Sequence, residues 1–265
     1  MIEIKSKSAG GELTSIVVNN IEYLHDGITV WNRHSPILFP IVGKLKDNKT
    51  TINGQTYEMT QHGFVRDMEF EEASPNEYVL KSNEETKIKY PFDFELYVKY
   101  SVADESVITE YKVINKSNID MPFGIGGHPA YKINYSNASV EFEKEENIQF
   151  YTLRDGLLEK AEKKVTKEIK LDNNSFDNDA IIMSDIDCKK VIVKENGKKV
   201  LEFEFEGFPY FAIWSKEDAP FLCLEPWYTT TDYIDSNGVF SEKPDTIVLK
   251  PNEEFNCKYK VRLEK

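Results

Sequence analysis

The sequence predicts an all-β fold, a large antiparallel β-sandwich. Hairpin signals recur along the chain, apolar and polar residues alternate between them, and no stretch keeps a 3.6-residue apolar period over three turns. The 265 residues suffice for one large all-β domain. Forty per cent of them are hydrophobic, including 16 Phe and 14 Tyr. Aromatics favour half-buried sheet surfaces, and they also line sugar-sized pockets.

The strands follow in chain order. LTSIVVNNIEYL (13–24) reads as two short strands turning at Asn19–Asn20. KTTINGQTYEM (49–59) repeats the pattern around Asn53–Gly54, the strongest short hairpin signal. FELYVKYSVADESVITEYKVINKS (94–117) alternates on both arms, with Ala103–Asp104–Glu105 at the turn. Residues 152–169 are charged enough for a solvated helix. Gly156 and the β-branched residues weigh against it, so an excursion with short strands is expected there. VIVKENGKKVLEFEFEG (191–207) is a hairpin with Asn196–Gly197 at its tip and Leu201, Phe203 and Phe205 on one face. No low-complexity linker and no fixed-period repeat divides the chain. Residues 1–265 therefore read as one domain, two large sheets packed face to face.

Composition narrows the partners. A net charge of −13 argues against nucleic acid and against anionic membrane surfaces. Cys188, Cys223 and Cys257 are an odd, scattered set, which fits neither a disulfide framework nor a C-x-x-C zinc site. The first residues lack an apolar core with basic flanks, and no run is long and apolar enough to span a membrane. A cytoplasmic protein, monomeric or weakly dimeric, is the expectation.

Four segments set rare polar residues on stiff or permissive backbone. WNRHSPILFPIVGKLKDN (31–48) holds Arg33 and His34. QHGFVRD (61–67) holds His62 and Arg66 around Gly63. FGIGGHPAYKI (123–133) puts His128 between Gly127 and Pro129. FLCLEPWYTTTD (221–232) places Glu225 after four apolar residues, as in a strand buried on both faces, with Pro226 expected to end the ladder. Glu225 is then either exposed at a sheet edge or held in a pocket against Trp227. In a pocket its pKa rises and it can serve as a general base. His128 and His62 are either satisfied polar residues or proton carriers near neutral pH. No paired-histidine spacing suggests a metal, and no nucleophile elbow or phosphate loop occurs. The acids of EFEKEEN (141–147) read as a solvated face, although a paired-carboxylate glycosidase remains an alternative.

Together and in this order, RHSPILFPIVGKLKDN, YEMTQHGFVRDMEF, YPFDFELYVKY, MPFGIGGHPAYKI and LCLEPWYTTTD resemble the aldose 1-epimerase (galactose mutarotase) family, in its LacX-like branch. The resemblance covers nearly the whole chain. It implies a β-supersandwich with a sugar pocket, and interconversion of the α and β anomers of a free sugar without metal or organic cofactor. By family position Glu225 would be the base, His128 the acid, and His62 a ligand of a sugar hydroxyl and the ring oxygen. Trp227 would border the sugar. An acidic sugar ligand falls in FDNDAIIM (176–183), where Asp179 at the strand start is the choice and Asp177 the alternative. One departure stands out. Family members carry an Asn-Arg pair where this chain has GKLKDN, with Lys44 as the basic residue. Arg33 or Arg66 would supply the missing contact. Related hexose-6-phosphate epimerases use arginines in such segments, so a hexose phosphate is also implied as a substrate. Two other readings are a carbohydrate-binding protein without turnover and a carbohydrate hydrolase or lyase.

Overall fold

The computed structural model describes residues 1–264; Lys265, the last residue of the expected domain, lies outside them. Strands dominate, and each expected hairpin forms. Glu12–Val18 and Ile21–Glu22 join through Asn19 and Asn20, Lys49–Ile52 and Gln55–Glu58 through Asn53–Gly54. Phe94–Ala103 and Ser106–Asn115 join through Asp104–Glu105, Lys190–Glu195 and Lys198–Glu204 through Asn196–Gly197. Every one of these turns has two residues at positive φ. That is the two-residue geometry whose twist matches the strands, and Asn, Asp and Gly adopt it at least cost.

Residues 152–169 differ from the expectation of an excursion with short strands in that the strands are long. They form most of a long hairpin, Ala138–Arg154 with Leu157–Lys170, turning at Asp155–Gly156. The second arm pairs along its length only with the first; on its other edge Leu158 alone bridges to Tyr233, and beyond it no strand of the described residues pairs there. Leu158 is its one buried residue, hence the alternation that marks a half-buried strand is missing. Lysines 160, 163, 164, 167 and 170 instead guard that edge against pairing with another chain. The run EFEKEEN lies in the first arm and is not wholly a solvated face. Glu146 is buried, and its Oε2 accepts the Asp187 N–H at 3.2 Å. A short helix, Glu84–Lys89, also escapes periodicity; it is fixed by a reciprocal cap between Asn83 and Thr86.

The main sheet has 15 strands, all paired antiparallel. Its path runs from Ile37–Leu38 through Ile125–Gly127, Leu222–Tyr228, Tyr210–Trp214 and Ile181–Ser184 to Ala138–Arg154. It continues through Lys190–Glu195, Lys198–Glu204, Glu254–Leu263, Ser106–Asn115, Phe94–Ala103 and Glu77–Lys81 to Glu71–Ser74. The strand Ala138–Arg154 is the joint. Residues 138–142 pair with Lys190–Glu195 and residues 149–151 with Ile181–Ser184, either side of an irregularity between Glu141 and Glu146. The large antiparallel β-sandwich is as expected, and the ladder runs on through this strand, joining its sheets into one. Leu201, Phe203 and Phe205 point into one large aromatic core with Phe211, Tyr131 and Tyr259. No described helix is long and apolar enough to cross a membrane.

Candidate active site

Glu225 lies inside the strand Leu222–Tyr228, between Tyr210–Trp214 on one side and Ile125–Gly127 with Ala130–Tyr131 on the other. The ladder does not stop at Pro226, which pairs in register with Phe211. Leu224 donates its N–H to Pro129 O, so the amide position two residues on faces the same side. Proline's missing donor therefore meets the gap between the two short neighbouring strands, where no partner is required. Alternation sets Cys223, Glu225 and Trp227 on one face. Glu225 is only 1 % exposed, which selects the pocket over the sheet edge.

His128 occupies that gap. Gly127 ahead of it lies so close to Tyr259 that a Cβ would come within 2.7 Å of the ring. The close packing fixes the backbone from which His128 projects. His128 Nε2 then stands 3.2 Å from Glu225 Oε2. The contact lacks hydrogen-bond alignment: Glu225 Oε2 and His128 Nδ1 are both buried without a hydrogen-bond partner among the described residues. Aromatic rings box the imidazole in, with centroids 5.1 Å away at Trp31, 5.5 Å at His62 and 5.7 Å at Trp214.

His62 sits at φ 67°, a conformation uncommon for a residue with a side chain. Gly63 follows at φ 74°, where a Cβ would lie 2.0 Å from Phe39 O. His62 Nδ1 accepts the Gly43 N–H at 3.1 Å. The neutral ring therefore carries its proton on Nε2 as a donor.

Burial controls the charges. It pushes the Glu225 carboxyl well above the usual range; the Asp179 charge adds to this, while the Trp227 indole N–H and the Arg66 guanidinium oppose it. Burial, then Arg66, pulls His128 down to about 3. Burial also pulls His62 well down, helped by His128, Arg66 and Arg33. Both imidazoles are thus held in the neutral form, and burial favours the protonated form of Glu225.

These groups line a cavity of about 420 Å³. Arg33, Arg66, Asp179 and Trp227 line it too. Arg33 is paired with Asp67 at 2.8 Å. Arg66 donates from Nη2 to Gln61 O at 2.7 Å, its Nε is buried without a partner among the described residues, and burial beside Arg33 lowers its pKa to about 10. Asp179 belongs to the turn before the strand Ile181–Ser184 rather than to its start, at φ 75° on the exposed rim. Asp177 does not line the cavity. Neither does Lys44, in contrast to the expectation: its ammonium is held by Asp155 O at 2.8 Å at the tip of the long hairpin. Trp31, Trp214, Gln61 and Thr231 line the cavity without having been singled out. Trp31 stands two residues before Arg33 in a flagged segment. Trp214 ends the wholly apolar run YFAIW, which reads as core, and only the sheet register brings it opposite Cys223.

A family model described as aldose 1-epimerase matches residues 2–262. The chromosomal protein LacX of Lactococcus lactis subsp. lactis is 30% identical over 288 aligned positions, covering 99% of this chain and 96% of the relative. A galactose mutarotase related enzyme from Lactobacillus acidophilus superposes with a TM-score of 0.93 at 30% identity, covering 100% of this chain and 95% of that one. A galactose mutarotase-like protein from Lactobacillus casei ATCC 334 gives 0.91 at 27% identity, covering 99% and 97%.

Proposed function

The chain belongs to the aldose 1-epimerase family, and from that premise we propose that it interconverts the α and β anomers of an aldohexose or a hexose phosphate by acid–base ring opening. One observation carries the reading: a buried carboxylate and imidazole 3.2 Å apart at a cavity wall, with hydrogen-bonding capacity the fold leaves unused. Structural pairs in an interior are satisfied. An unsatisfied one is suited to a substrate that brings its own donors and acceptors.

The chemistry moves one proton off the anomeric hydroxyl and another onto the ring oxygen. In the reacting form His128 carries a proton and Glu225 is ionised; the Trp227 indole and Arg66 favour the carboxylate, while burial and Arg66 oppose the imidazolium. Glu225 takes the O1 proton as the C1 carbonyl forms and the bond from C1 to the ring oxygen breaks. His128 protonates that oxygen as it leaves. The aldehyde turns about one bond and the steps reverse on its other face. Each transfer needs a group poised to gain or lose a proton near working pH. His62, neutral with Nε2–H free to donate, supports the ring oxygen or a neighbouring hydroxyl without adding charge. Asp179 accepts from a hydroxyl at the rim, and Trp31, Trp214 and Trp227 offer flat faces to the C–H surfaces of a pyranose. Arg66, whose Nε has no partner among the described residues, supports an anionic substituent such as a phosphate. The scheme calls for no cofactor.

The test is polarimetry on freshly dissolved α-D-glucose and α-D-galactose, with exchange NMR on their 6-phosphates. Faster approach to anomeric equilibrium is expected, with the preferred sugar telling whether the arginines serve a phosphate. No acceleration of any of the four, alongside clear binding by calorimetry, would replace the enzyme with a sugar-binding protein.

A further inference from the structure

We infer that Cys223, His128 and Glu225 form a three-ligand site for a thiophilic divalent cation, Zn²⁺ in particular, in the wall of the cavity. Cys223 is absent from the chemistry above, yet it shares a strand face with Glu225. Its Sγ, a His128 ring nitrogen and a Glu225 carboxylate oxygen all lie within 4.8 Å of one another. Some point therefore lies within about 3 Å of all three, and small side-chain movements reach the ~2.0–2.3 Å of zinc bonds. The 3.2 Å between His128 Nε2 and Glu225 Oε2 already matches the nitrogen–oxygen edge of a tetrahedron around zinc. Glu225 Oε2 is one of the buried atoms with no hydrogen-bond partner among the described residues, and Glu225 is 99 % buried.

The charge balance also favours such an ion. A thiolate, a carboxylate and a neutral imidazole around Zn²⁺ sum to zero, the one total an interior accepts cheaply. Binding requires the thiolate, the carboxylate and the unprotonated imidazole, so it is favoured as pH rises. His128 and Glu225 line the cavity, so a fourth position opens toward it. Three protein ligands with one open position is a familiar zinc arrangement. Occupation would silence the acid–base pair, which makes the site inhibitory; that consequence, unlike the binding itself, rests on the proposed function.

The first experiment uses Co²⁺ as the probe on the whole, metal-free chain, with no sugar present. A 1:1 thiolate-to-cobalt charge-transfer absorption is expected, displaced by Zn²⁺, lost in Cys223→Ala and kept in Cys188→Ala. Absence of the band in the parent chain, or its survival in Cys223→Ala, overturns the site. X-ray absorption of the zinc-loaded parent chain asks the same question without a variant. One sulfur at ~2.3 Å with nitrogen and oxygen at ~2.0–2.2 Å supports the site, and a shell of nitrogen and oxygen alone overturns it. In the anomer-exchange assay, equimolar Zn²⁺ should slow the parent at least tenfold, EDTA should restore it, and Cys223→Ala should resist. Equal inhibition of both chains would put the inhibitory ion elsewhere and overturn the proposal. Lack of exchange in the metal-free parent would instead sink the proposed function and leave the cobalt result standing.

Discussion

Two buried acids of one segment, Glu225 and Asp232, meet opposite fates. Asp232 is saturated: Oδ1 accepts from Lys243 Nζ at 2.6 Å and Oδ2 from the Lys46 N–H at 2.9 Å. Its backbone is tied to Lys44 and Leu158 as well. Both members of that ion pair are buried. Glu225 is buried at least as deeply, and its Oε2 and its imidazole neighbour's Nδ1 are left without partners among the described residues. Burial is common to both acids and separates nothing. What separates them is whether the fold spends their hydrogen-bonding capacity: Asp232 holds the loop behind the cavity, and Glu225 keeps its capacity for a ligand.

Breaking the unsatisfied member gives the largest expected effect. Glu225→Gln keeps the shape and removes the proton acceptor, so kcat should fall by ~10²–10⁴, with the melting temperature held or raised because a buried acid becomes a neutral amide. Initial rates by polarimetry and a thermal melt on the same sample check both. A parent-like kcat would remove Glu225 from the reaction. The mirror experiment is Lys243→Met. It leaves Asp232 buried and unpaired, so unfolding in urea should show a loss of about 3–5 kcal/mol, while kcat of the folded fraction changes little. A large loss of kcat with unchanged stability would make the two acids alike and end the contrast.

The sequence carries the same contrast unevenly. Glu225 is legible because an acid after four apolar residues is odd, and His62 and His128 because glycines flank them. The hairpins are legible because their turns need Asn, Asp or Gly. Asp232 goes unread: TTTD looks like a polar loop, and its partner Lys243 is eleven residues away with no pattern between them. The long edge strand Leu157–Lys170 is unread for a related reason, since a strand that buries almost nothing has no alternation to show. Trp214 looks like core. That it faces His128 follows from a register set between strands distant in the chain, which local pattern does not contain.

The neutral imidazoles sharpen the comparison through pH. Unfolded, His62 and His128 take up protons near pH 6.5, while folded both are held far below that. Folded Glu225 keeps a proton above 4.5 that the unfolded chain has lost. As pH falls through ~6.5 the two histidines take up protons only in the unfolded chain, so their contribution to stability is lost, while the raised Glu225 offsets part of that loss. His62→Asn removes one histidine from that count and should flatten the dependence, read from urea midpoints across the window. A slope unchanged in His62→Asn would mean that His62 is protonated in the folded protein, contrary to its role as a neutral donor.

The smallest effect belongs at the rim. Asp179 resembles neither acid. It is exposed, and its Oδ1 accepts only the Ala180 N–H of its own turn, at 2.8 Å. A carboxylate in that position can bind a hydroxyl, but it has little desolvation to recover and no buried partner to strand. Asp179→Ala should therefore raise KM about tenfold, the worth of one charge-assisted hydrogen bond at a wet site, with kcat changed less than KM. Its like charge also raises Glu225, so the variant should shift the alkaline side of the kcat profile to lower pH, an effect that loss of a sugar contact alone would not produce. Asp177→Ala, off the cavity wall, should change neither. If Asp177→Ala raised KM and Asp179→Ala did not, the bound sugar would have to draw the 176–180 turn into a different arrangement, and the rim would be the part of the site that moves.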